Sequence, residues 1–108
     1  MRAFRVAHES LDDLMDPRER RAREIHDAIR DVLMADWDPI GIAEEPACAD
    51  EYDRYIGGLY RLLASGAQPE EIADHLLRIE HEPMGLDKAS RDGLLPVATK
   101  LRGLDVRL

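Results

Sequence analysis

The chain has 108 residues, with 23 acidic and 15 basic side chains and a formal net charge of −8. Apolar residues make up 44 % of it, but it holds only one Trp, three Tyr and one Phe, so its core is aliphatic, and the length suits one helical domain over 1–108 while excluding a multidomain enzyme. No apolar run approaches the roughly 18 residues of a spanning helix and no charged start leads into a hydrophobic stretch, so neither membrane anchor nor signal peptide is expected; the lone Cys48 excludes an internal disulfide framework and fits a reducing cytoplasm.

Residues 1–15 read as a tail. Phe4 and Val6 alternate too briefly for a strand, and Ser10 with Asp13 marks at most one helical turn over Leu11 to Met15. The first helix starts sharply: Asp16 can accept from exposed amides, Pro17 presets the first φ, and Glu19 suits the positive dipole end. Ala22, Ile25, Ile29, Val32 and Leu33 then recur at helical spacing, and the helix extends to about Asp36. Asp36 itself falls within the apolar stripe unless the helix has already ended. Asp38-Pro39-Ile40-Gly41 has the residues of a type I turn and stops the helix.

After a loop with Glu44, Glu45 and Pro46, a second stripe of Tyr52, Tyr55, Ile56, Leu59, Leu62 and Leu63 predicts helix two over about Ala47 to Ser65. Gly57 and Gly58 inside it mark a kink or the close approach of another helix, and Gly66 suits the left-handed position beyond its end. Helix three opens at Gln68-Pro69-Glu70-Glu71, carries Ile72, Leu76 and Ile79, and ends by Pro83. Asp87 caps a last segment holding Leu94, Leu95, Val97, Ala98 and Leu101, which Gly93 and Pro96 break into two pieces and Gly103 ends. The expected fold class is therefore all-α, a small antiparallel bundle of three main helices with a broken C-terminal fourth.

The charge is unevenly placed. Residues 1–30 carry seven Arg and seven acids, residues 86–108 five bases and three acids, and residues 31–85 three Arg against thirteen acids, a net of −10. An acidic middle argues against nucleic acid, whose phosphates need a basic surface, and leaves a basic protein as the expected partner.

Specific chemistry is sparse. His75 and His81 lie six residues apart, about 240° around one helix, so they cannot share an ion. There is no Glu-x-x-His pair, one Cys cannot build a structural zinc site, and no Gly-rich phosphate loop occurs, so no metal, cofactor or catalytic residue is expected. His26, at the edge of the first stripe, reads as a partly buried helix residue rather than a base. Carboxylates around Cys48 disfavour its thiolate.

The densest constellation runs from Trp37 through Asp38 to Asp50-Glu51-Tyr52-Asp53. Paired carboxylates do acid and base work only where their environments separate their pKa values. The plainer reading puts Asp50, Glu51 and Asp53 at the positive end of helix two, with Asp50 pairing Arg54 at i,i+4. Trp37-Asp38-Pro39-Ile40-Gly41 followed by Asp50-Glu51-Tyr52-Asp53, with Glu70-Glu71-Ile72, Ile79-Glu80 and Met84-Gly85-Leu86 further on, resembles a bacterial domain-of-unknown-function family of small helical proteins across about residues 20–86. The resemblance implies no activity and no catalytic residue; some similar small acidic proteins have been suggested to act as immunity proteins for secreted toxins.

Taken together, these residues point, ahead of an enzyme, to a cytoplasmic interaction module of immunity or inhibitor type that meets a basic partner through Asp38, Glu44, Glu45, Asp50, Glu51 and Asp53, with Trp37 or Tyr52 as aromatic anchors if exposed. The alternatives are a small enzyme or ligand-binding bundle with a carboxylate site between the Trp37 turn and helix two, and a structural homo-oligomer using Tyr52, Tyr55 and Tyr60. Carboxylates converging in a pocket favour the former, and a flat exposed cluster favours the interaction module.

Overall fold

The computed structural model describes residues 16–39, 41–42, 50–86 and 89–108. The readings made for the 1–15 tail, for Ile40, for Glu44, Glu45 and Cys48, and for Asp87 as a cap lie outside these residues. Among the described residues there are four α-helices and no strand.

Helix α1, Pro17–Val32, begins at a reciprocal cap. Asp16 Oδ1 accepts from the Glu19 amide (2.8 Å) while Glu19 Oε1 accepts from the Asp16 amide (3.0 Å), so two amides that the helix itself leaves unpaired are satisfied. Ile25, Ile29 and Val32 form its buried face.

The helix continues as a π-helical turn, Leu33–Trp37. A π turn takes one residue more than an α turn and shifts the downstream register. Trp37 therefore enters the core at 8 % exposure, and Asp36, which unbroken α geometry would hold in the apolar stripe, reaches the surface and meets Lys100 at 2.9 Å. Asp38 closes this turn with φ +34°, its amide donating to the Leu33 carbonyl at 2.8 Å. The Gly41 amide donates to the Asp38 carbonyl at 3.2 Å, the i to i+3 bond expected of the Asp38–Gly41 turn.

The second helix starts later than the stripe suggests. Asp53–Tyr55 form a 3-10 turn, and α2 proper is Ile56–Ala64, with Ile56, Leu59 and Leu63 buried. Gly58 is a place of close approach: a β-carbon there would lie 3.2 Å from His75 Nε2 on the third helix, whereas one at Gly57 would meet nothing closer than 3.8 Å. Gly66, at φ +79°, lets the Ala67 amide reach back to the Leu62 carbonyl at 3.0 Å and ends the helix.

Helix α3, Pro69–His81, is capped through Glu71 Oε1, which accepts from the Gln68 amide at 2.8 Å. It buries Ile72, Ala73, Leu76, Ile79 and also Glu80. Helix α4, Arg91–Arg102, corrects the expectation of a broken fourth segment: it runs unbroken through Gly93 and Pro96. The reason is position. Gly93 lies in the first turn, where its amide is taken by the Ser90 hydroxyl at 3.1 Å, so Ser90 is the cap. Pro96 lies on the exposed side, while Leu94, Val97, Ala98 and Leu101 bury the opposite one.

The most extensive helix pairing is α3 with α4. Ile29, Leu33, Tyr52, Leu59, Ile72, Leu76 and Leu101 are the largest fully buried side chains, each contributing about 1.5 to 3 kcal/mol of burial. The C-terminal segment returns to α1, where Arg21 donates to the carbonyls of Arg107 (2.9 Å) and Asp105 (2.7 Å). Leu108 thereby comes to line a small apolar groove with Ile25, Ile29, Ile56 and Tyr60.

Candidate functional site

The Trp37 constellation assembles, and its parts turn out to do different things. Trp37 and Tyr52 pack ring to ring at 5.2 Å, and Tyr55 meets the indole edge-on at 6.2 Å. Tyr52 is fully buried, so the condition of exposure attached to the aromatic anchors is not met. Tyr55 and Tyr60 are half-buried against the same core, so these three tyrosines form no exposed face.

Asp38 is a structural junction. Its Oδ1 accepts from the Ile42 amide at 2.7 Å and from the Tyr52 hydroxyl at 2.9 Å, joining the end of the first helical segment to the start of the second. A left-handed backbone is tolerable for Asp because its short side chain bonds locally, as here. Asp53 is likewise occupied: Arg30 donates to both its oxygens, at 2.9 and 2.6 Å, and this fork, offset in part by desolvation, holds the Asp53 carboxyl below the usual carboxylate range. His26 Nε2 lies 3.9 Å from the same carboxylate. Asp50 and Glu51 are exposed. Arg54 lies over the Tyr55 ring, 6.0 Å from its centroid, and makes no ion pair with Asp50 among the described residues.

The more distinctive chemistry lies on the other side of Trp37. Its indole Nε1–H donates to Glu80 Oε2 at 2.8 Å, and Glu80, at 6 % exposure, is the one buried charged residue among the described residues. Among the described residues no other group donates to this carboxylate. Beside it opens a cavity of about 460 Å³ whose walls include Asp36, Trp37, Glu80, Leu94, Val97 and Lys100, within the size range of small-ligand sites. The π-helical turn supplies Trp37 and Asp36, α3 supplies Glu80, and α4 supplies Lys100, so three elements converge on it.

Sequence reasoning passed over Glu80, Asp36 and Lys100 as site residues. A signal was present for the first, because Glu80 lies four residues beyond Leu76 and one beyond Ile79, on the apolar face of α3, where a carboxylate is out of place. Lys100 carried none, since its meeting with Asp36 depends on the π turn.

His75 is half-buried between α2 and α3 and its pKa is held below the ordinary histidine value, mainly by desolvation and further by Arg78 and Arg61. Among the described residues no three His, Cys, Asp or Glu side chains are placed to hold a metal ion, and no helix is long and apolar enough to cross a membrane. A scan against protein-family models, a search of curated proteins and a search of solved structures each give no match.

Proposed function

We propose that this chain is an acidic protein-interaction module, built as a small antiparallel helical bundle, that captures a basic protein partner. The supporting observation is the surplus of carboxylates in residues 31–85 after the internal pairs are taken out. Asp36, Asp38, Asp53, Asp74 and Glu80 are held by Lys100, Tyr52, Arg30, Arg91 and Trp37 respectively, while Asp50 and Glu51 remain exposed beside the Arg30–Asp53 pair. An excess of one charge steers encounter with an opposite surface and selects against like-charged ones. An immunity or inhibitor role in the cytoplasm is the form that the resemblance to small acidic bacterial proteins favours. Glu44 and Glu45, which lie outside the described residues, are proposed as partner-binding residues on their charge alone.

The test reverses charge at exposed positions. The Asp50→Lys, Glu51→Lys double variant should keep its helical circular dichroism and thermal midpoint and lose capture of the protein partner isolated with the wild-type chain, with the wild-type complex weakening as salt rises. Undiminished capture by the variant refutes the reading.

A second reading, a ligand-binding bundle, is favoured by one observation, the cavity beside Glu80. Its location differs from the expected site between the Trp37 turn and helix two, where Asp38 is already engaged by Tyr52 and Ile42.

A further inference from the structure

We propose that the cavity between the π-helical turn, α3 and α4 is a receptor for a guanidinium group, the arginine side chain of the basic partner, with Glu80 as its anchoring carboxylate. This inference rests on the basic-partner reading and names the contact that would give it specificity.

Glu80 carries the argument. Glu80, at 6 % exposure, receives one side-chain hydrogen bond among the described residues, whereas an ionised carboxylate can accept about four, so it keeps acceptor capacity for a further donor. Trp37 takes Oε2, which leaves Oε1 for a group entering the cavity that Glu80 lines.

The charge of the walls defines what enters. Glu80 and Asp36 contribute two formal negative charges and Lys100 one positive, so the lining carries a formal surplus of one negative charge and matches one monovalent cation. Lys100 is already turned to Asp36, at 2.9 Å, and makes no contact with Glu80 within 4.0 Å. Leu94 and Val97 supply apolar wall for an alkyl stem, and an indole supplies the best aromatic partner for a cation. Guanidinium fits these features better than ammonium: it is more weakly hydrated, it is planar, and it presents several N–H groups to a carboxylate.

Trp37 is the single tryptophan of the chain and lines the cavity, so it reports directly. The full chain is titrated with N-acetyl-arginine amide, with the neutral isostere N-acetyl-citrulline amide, and with an arginine-rich peptide, following indole fluorescence and the single indole N–H resonance by NMR. Arginine amide should give a saturable response and citrulline amide none. Glu80→Gln, which keeps an acceptor for the indole N–H, should weaken arginine amide by about tenfold or more. Lys100→Gln, which removes the like charge from an exposed rim position, should strengthen it.

Equal responses to arginine and citrulline amides, or an affinity unchanged in Glu80→Gln, overturn the inference. So does a Lys100→Gln variant that loses stability without gaining affinity, because Lys100 would then be the cavity's own cation. If the arginine-rich peptide binds and is sensitive to Asp50→Lys, Glu51→Lys but not to Glu80→Gln, the cavity role fails while the basic-partner reading stands. If neither peptide nor amide binds, both fail.

Discussion

The indole nitrogen of Trp37 and the carboxylate of Glu80 meet at 2.8 Å across 43 residues of sequence, inside the core. Removing either partner alone strands the other. Glu80→Leu leaves a buried indole N–H unpaired and should cost about 1 to 3 kcal/mol; Trp37→Phe leaves a buried carboxylate without its donor and should cost more. The double variant should lose less than the sum of the two. Urea denaturation followed by circular dichroism gives all three values, and strict additivity would show the bond to be energetically idle.

Asp38 combines a left-handed backbone with two hydrogen bonds that tie Ile42 and Tyr52 to the end of the π turn. Asp38→Ala removes both bonds and keeps an unfavourable φ, and should destabilise by about 2 to 4 kcal/mol. Asp38→Gly relieves the backbone alone and should recover about 1 kcal/mol of that loss. Similar stability of the two variants, measured by thermal unfolding, would argue against backbone strain at this position.

The Arg30–Asp53 fork joins α1 to the 3-10 turn with side chains 32 % and 26 % exposed. A double-mutant cycle with Arg30→Met and Asp53→Asn should return a coupling of about 0.5 to 1 kcal/mol near neutral pH. Because the folded carboxyl titrates below its unfolded value, this coupling is fully present above about pH 4 and disappears as pH falls through the lowered folded pKa. A coupling that stays the same after acid has protonated the folded carboxyl contradicts the assignment.

His75 acts at higher pH. Its folded pKa is lowered by burial, then by Arg78 and Arg61, so the unfolded chain takes up a proton before the folded one does. Stability should fall as pH drops through about 6.5 towards the lowered folded value and level off below it. His75→Gln should flatten that part of the stability profile, and an unchanged profile points to another group.

Gly57 and Gly58 separate two effects of glycine. Gly57→Ala gains helix propensity with its β-carbon in ordinary contact, 3.8 Å from Arg61 Nη1, and should stabilise by about 0.5 to 1 kcal/mol. Gly58→Ala gains the same propensity but places its β-carbon 3.2 Å from His75 Nε2, so its net gain should be smaller or reversed. Thermal midpoints of the two variants compare them, and a larger gain at Gly58 would disprove the close approach.

Local signals determined the helices. The Asp16-Pro17-Glu19 and Gln68-Pro69-Glu71 starts, the Gly66 and Gly103 ends and the aliphatic stripes were legible because capping and amphipathicity act within one or two turns. The α4 segment misled for the same reason: Gly93 and Pro96 weaken a helix locally, and only the burial of Leu94, Val97, Ala98 and Leu101 against neighbouring helices, chiefly α3, holds it in one piece. Tertiary structure alone decided the site. A single extra residue in the Leu33–Trp37 turn exchanges Asp36 for Trp37 in the core, and that shift brings Trp37 to Glu80 and Asp36 to Lys100. The sequence carries the net charge of −8, but whether a carboxylate faces solvent, an arginine or a cavity depends on long-range packing, which no local pattern encodes.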